Sequence, residues 1–157
     1  MAEYDGITHF LKVAPRRLAD ARELLQNPTI EPTTSDAGRR HLRAAVYLAG
    51  YVVECILKAY IISRTPGTQR LSEACSIMKR KGITVPDLSS AKWHSIVLLL
   101  GVTDLEAVVP KAIRLSLGIC SKWKPTWRYC PEPPERAEAE AFVGAAETIL
   151  SYVRPRI

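Results

Sequence analysis

Cysteine is sparse and scattered in this chain of 157 residues: Cys55, Cys75, Cys120 and Cys130 form no CxxC pair and stand in no Cys/His spacing of the zinc-finger kind. That pattern argues against a zinc site and leaves the thiols as small hydrophobes in a reducing compartment, so a cytoplasmic protein with no metal and no cofactor is expected. The N-terminus lacks the basic-then-apolar layout of a signal peptide. No convincing strand, internal repeat or low-complexity tract is present. Acidic residues are outnumbered, 16 against 22 Lys and Arg, giving a formal net charge of +6. A moderately basic balance favours an acidic partner or nucleic acid without establishing either. The positive charge gathers at Arg39, Arg40 and Arg43, at Lys79-Arg80-Lys81, and at Lys122, Lys124 and Arg128, clusters that a solvated surface explains equally well.

What the chain does have is one long apolar segment, Leu42 to Ile62, with only Glu54 and Lys58 charged after Arg43. Apolar residues recur at Leu42, Ala45, Ala49, Val52, Ile56 and Tyr60, with Val46, Val53 and Leu57 beside them, which is helical periodicity widened until most of the circumference is buried. The segment is long enough to raise a membrane-spanning reading. Glu54, Lys58, Gly50 and the polar-tipped tyrosines count against it, as does the lack of a second span, so no membrane is expected. The better reading is the central helix of a bundle, with Val52, Val53, Ile56 and Leu57 in its core. A second stripe, Tyr47, Tyr51, Glu54 and Lys58, puts two aromatics and two charges on one face, with Gly50 permitting close backbone approach. The segment's surplus of apolar surface suggests a twofold dimer.

Around it the spacing predicts further helices. Ile7, Leu11, Ala14, Leu18, Ala21 and Leu25 mark a helix from about Thr8 to Gln26, which either kinks at Pro15 or begins its regular part there. Thr29 to Asp36 reads as a loop, with Ser35 or Asp36 placed to cap the central helix. A short helix runs from Leu71 to Lys81 and ends at Gly82; another, capped by Ser89 or Ser90, runs from Ala91 to Leu100. A helix starting at Asp104 or Pro110 reaches about Ser121, and Pro133-Pro134-Glu135 opens a last one that Pro155 stops. Between them Trp123 to Pro134 reads as a loop holding two tryptophans, a tyrosine and four prolines. The fold class is all-α, one domain over 1–157: an up-and-down bundle of four main helices and one or two short ones.

The run Tyr47-Leu-Ala-Gly-Tyr-Val-Val-Glu-Cys-Ile-Leu-Lys58, with His94 followed by Leu98-Leu99-Leu100 and with Trp123 and Arg128-Tyr129 before the last helix, resembles the HEPN family, whose name stands for higher eukaryotes and prokaryotes nucleotide-binding. The likeness covers nearly the whole chain. It implies a helical bundle that pairs as a homodimer and often works beside a minimal nucleotidyltransferase. Many members are ribonucleases, commonly toxins, whose hallmark is an arginine followed by four to six residues and a histidine. Here no arginine lies five to seven residues before His9, His41 or His94, and no histidine follows Arg128.

Each candidate residue therefore has a plain reading beside a functional one. Glu54 and Lys58, four apart with the acid first, suit a structural ion pair, or a Lys58 that meets a phosphate while Glu54 holds it. His94 is either a satisfied helix-start histidine or an acid-base or nucleotide contact. Trp127, Arg128 and Tyr129 either lid the bundle or, with Tyr51, stack bases and neutralise phosphate. The ligand-binding set expected is Tyr51, Glu54, Lys58, Trp127, Arg128 and Tyr129, with Arg128 paired to Glu54. The function expected is a nucleotide- or RNA-binding partner or regulatory subunit of a toxin-antitoxin or defence-type module. The alternatives are a metal-independent ribonuclease using Arg128, Tyr129 and His94, and a purely structural dimerisation module.

Overall fold

Every segment marked by helical periodicity is helical in the structure, a computed structural model that describes residues 5–26, 36–129, 132 and 134–157. Side chains of residues 36–39 and of Arg128 lie outside that description, as do the expected loop over 29–35 and the expected cap at Ser35 or Asp36. Among the described residues there are seven α-helices: α1 (Ile7–Gln26), α2 (Asp36–Ser63), α3 (Leu71–Arg80), α4 (Ile96–Gly101), α5 (Leu105–Val108), α6 (Lys111–Cys120) and α7 (Arg136–Val153). Three short 3-10 turns, Ala91–His94, Pro125–Tyr129 and Arg154–Arg156, complete it, and no strand is present among the described residues. The bundle is all-α, as expected.

The apolar run sets the architecture. Val52, Val53, Ile56 and Leu57 have no exposed surface, and every residue from Val52 to Ile62 is buried. Helices α1, α3, α4 and α7, together with the tryptophan-bearing turn Pro125–Tyr129, pack around α2. The stretch Arg40–Ser63 is long and apolar enough to cross a membrane, yet most of it is buried against the chain's own helices. One copy thus covers most of Arg40–Ser63, and among the described residues the surplus apolar surface expected on α2 is absent. Exposed aliphatic side chains sit elsewhere, among them Val97, Val108, Leu115 and Ile119.

Pro15 neither begins nor ends α1. The buried stripe Phe10, Ala14, Leu18 and Ala21 continues across it, so packing on α2 offsets the one lost backbone donor. Glu147 of α7 pairs with Arg22, tying the outer edge of α1. The start of α1 is stitched to the start of α3: Ile7 N donates to the Gln69 carbonyl at 2.9 Å, Leu71 N to the Asp5 carbonyl at 3.0 Å, and Ser72 Oγ to the Asp5 carboxylate at 2.8 Å. Helix α3 closes as its sequence foretells, with Gly82 at φ +76° after the basic run Lys79-Arg80-Lys81.

Two predicted helices are each divided. Asp104 and Pro110 both act as starts, giving α5 and α6 instead of one helix. The segment 91–100 breaks at Ser95, whose backbone is extended and whose Oγ accepts from Leu98 N at 3.3 Å to cap α4, while Ser90 caps the preceding turn. The buried Trp93 ring pins that turn by donating from Nε1 to the Pro86 carbonyl at 3.2 Å. An unbroken helix would continue through Ser95; the break leaves His94 at the end of a short, anchored turn beside α2.

Candidate functional site

Glu54 is the centre of a buried charged cluster on α2. One turn of helix brings Lys58 above it, and Lys58 Nζ donates to Glu54 Oε1 at 2.6 Å. The same oxygen meets His94 Nδ1 at 3.0 Å across a sequence separation of 40. The side chains of Glu54 and Lys58 are 4% and 9% exposed, whereas that of His94 is 42% exposed. A carboxylate this deep requires compensation, and it draws it from two donors at once. Its second oxygen, Oε2, is buried with no hydrogen-bond partner among the described residues.

The chemical consequence falls on His94. A carboxylate against Nδ1 fixes that nitrogen as the protonated one in the neutral ring, leaving Nε2 as the basic nitrogen of a half-exposed imidazole. Lys58 offsets the charge of Glu54, so the buried part of the cluster is neutral and the histidine is its only exposed member. Lys58 itself is turned inward, with Nζ 5.8 Å from the centre of the Phe10 ring. Its ammonium is engaged by Glu54 instead of standing open to a phosphate.

Aromatic rings wall the cluster. Tyr51 lies edge-on to His94 at 6.5 Å and edge-on to Trp123 at 5.1 Å; Tyr47 lies 5.0 Å from Tyr51, and their hydroxyls are 3.2 Å apart. The role of Gly50 is now evident: what approaches α2 there is the indole of Trp123. A Cβ at position 50 would fall 2.0 Å from Trp123 Nε1, so only glycine admits the ring. Trp123 is 1% exposed, and its Nε1 is buried with no hydrogen-bond partner among the described residues, one turn along α2 from Glu54.

Of the expected set, the structure brings together Tyr51, Glu54 and Lys58, and adds His94. Trp127 is turned to α7, with its ring 6.1 Å from that of Phe142, which is the lid reading of that residue. Tyr129 is 71% exposed. The expected pairing of Arg128 with Glu54 rests on a side chain outside the described residues; the partners that Glu54 has are Lys58 and His94. Sequence reasoning missed the Glu54–His94 bond, because nothing local to either residue signals a partner so far along the chain. It also gave Gly50 a backbone neighbour where the structure has Trp123, although a glycine between two tyrosines on a buried helix was itself the signal.

Cys55, Cys75 and Cys120 are buried and apart from the chemistry of this site. Burial pushes the Cys55 and Cys120 thiols up to about 12 and the Cys75 thiol to about 11, with the Glu54 carboxylate adding to the rise at Cys55. Among the described residues, no group of three His, Cys, Asp or Glu side chains is placed to hold a metal ion. Comparison with protein-family models, with curated proteins and with solved structures gives no match, and the chemistry of the cluster itself must carry the reading.

Proposed function

We propose that this chain is a non-canonical HEPN-type protein: a cytoplasmic, homodimeric nucleotide- or RNA-binding partner or regulatory subunit of a toxin-antitoxin or defence-type module, working with a minimal nucleotidyltransferase. One observation supports the binding part of this reading. His94 is fixed by a buried carboxylate, half exposed, and bordered by the Tyr51 ring. A ring nitrogen of set orientation beside an aromatic edge suits an N–H of a base edge, from which the Nε2 lone pair accepts, and in the protonated ring it donates to a phosphate oxygen. The excess of six positive charges adds a general attraction for polyanions. The missing arginine-histidine motif favours a binding role over a catalytic one.

The test is direct titration of purified protein with ATP and with a labelled single-stranded RNA. Binding that weakens with salt and falls about tenfold in His94→Ala, the equivalent of one charge-assisted hydrogen bond, is the expected result. Failure of both probes to bind withdraws the reading.

The same bond gives specific support to a second reading, a metal-independent ribonuclease. With Nδ1 held by Glu54, Nε2 has the lone pair a general base needs to take a proton from a ribose 2′-hydroxyl. Cleavage of RNA that is lost in His94→Ala, with Arg128→Ala as the companion variant, would establish the enzyme; binding without cleavage leaves the partner role.

A further inference from the structure

We infer that the cleft where α2, α3 and α4 end binds a small zwitterion with an apolar body, of the class of a free apolar α-amino acid such as leucine. The cleft holds about 320 Å³, at the lower end of the range typical of ligand sites, which is room for a small metabolite. Tyr60, Ile61 and Met78 line it as buried residues, and Ile77, Ile83 and Val102 add apolar surface that water reaches in part. Ile83 is 44% exposed. An apolar body laid along these side chains removes that surface from water. Glu54, Lys58 and His94 are not among the lining residues, and the inference is independent of the ligand proposed at His94.

Charge selects the rest of the ligand. Arg64 and Lys81 line the cleft as exposed cations, and Asp104 as an exposed carboxylate. No ion pair among the described residues engages any of the three, and the Asp104 side chain makes no capping bond at the start of α5. Arg64 rests against the Tyr60 ring, its guanidinium carbon 5.8 Å from the ring centre, which leaves its fork of N–H donors for a carboxylate. The hydroxyls have the opposite bias. Thr65 Oγ1 donates to the Ile61 carbonyl at 2.9 Å and Thr103 Oγ1 to the Leu100 carbonyl at 3.0 Å, so both offer a ligand only acceptor lone pairs. Lys81 is the C-cap of α3 and Val102 that of α4, and helix C-terminal carbonyls carry partial negative charge. A simple anion would meet Asp104 and these carbonyls with like charge, and a simple cation would meet Arg64 and Lys81. A zwitterion answers both: its carboxylate accepts from Arg64 and Lys81, and its ammonium donates to Asp104 and the acceptor oxygens.

Isothermal titration of the full chain with leucine, 4-methylpentanoate and 3-methylbutylamine tests this, because the second ligand keeps the body and carboxylate and the third keeps the body and amine. Leucine is expected to bind, and each analogue to bind about tenfold more weakly, the equivalent of one charge-assisted hydrogen bond. Asp104→Asn should weaken leucine about tenfold and leave 4-methylpentanoate no weaker, whereas Arg64→Gln should weaken leucine and leave the amine no weaker. Both positions are exposed, so an unchanged circular dichroism melt is expected in each variant. No binding of leucine at millimolar concentration would overturn the inference and leave Arg64 and Lys81 as balance for the helix carbonyls alone. Binding of 4-methylpentanoate as tight as that of leucine, or leucine affinity unchanged in both variants, would overturn it equally.

Discussion

Replacing Glu54 by alanine strands the Lys58 ammonium, 7% exposed, among apolar side chains and removes the carboxylate that holds His94. The size of the effect follows from burial. An exposed ion pair contributes about 0–1 kcal/mol, but breaking a buried one by removing one partner costs about 3–5 kcal/mol, because the remaining charge loses its compensation. Glu54 and Lys58 belong to the second class, with side chains 4% and 9% exposed. Lys58→Met should cost a similar amount, since Glu54 would keep only the half-exposed His94. The double variant Glu54→Leu/Lys58→Met removes both charges and keeps the volume, and it should lie within about 1 kcal/mol of the wild type or above it. Urea unfolding followed by circular dichroism measures the wild type, Glu54→Leu, Lys58→Met and the double variant, and this cycle yields a coupling of at least about 3 kcal/mol. A Glu54→Ala loss below about 1 kcal/mol, or a double variant no better than the singles, would refute the buried-pair reasoning.

Two further outcomes follow from the packing. Gly50→Ala should destabilise the fold by about 1–3 kcal/mol through the clash with Trp123, read as a lower urea midpoint together with a shift in tryptophan fluorescence; an unchanged midpoint would mean that the indole does not lie on α2. The buried thiols of Cys55, Cys75 and Cys120 should stay unreactive to an aromatic disulfide reagent at pH 8 until the chain is unfolded, and their raised pKa gives stability a definite pH slope. The folded chain keeps thiol protons that the unfolded chain releases above about pH 9, so this contribution is intact below pH 9 and lost as pH rises toward about 12. A flat stability from pH 9 to 11 would contradict it.

The bundle was legible because it is built from local signals. Periodicity found α1, α2 and α7, and proline and glycine punctuation found their ends, because the side chains that face the core repeat with the pitch of the helix that carries them. The same rules went astray where tertiary contact outweighed local preference. Packing of Phe10, Ala14 and Leu18 on α2 continues α1 across Pro15 instead of starting its regular part there, and Ser95, with Trp93 anchored to Pro86, splits a segment whose periodicity alone gives one helix. The site was half legible. The spacing of Tyr47, Tyr51, Glu54 and Lys58 fixed a shared face, but which side chains arrive from other elements is a property of the assembled bundle. His94 and Trp123 reach that face from turns whose own sequences do not specify a destination.

The proposed function hangs on His94 as the exposed end of a buried, neutralised carboxylate, and the affinity of purified protein for single-stranded RNA tests that most directly. Fluorescence anisotropy of a labelled oligonucleotide should show wild-type binding and a loss of about tenfold in His94→Ala, in a variant that still unfolds cooperatively and loses less stability than Glu54→Ala, because the ring is 42% exposed. Equal affinity in wild type and His94→Ala would contradict the account, since it would place any RNA-binding surface away from Glu54.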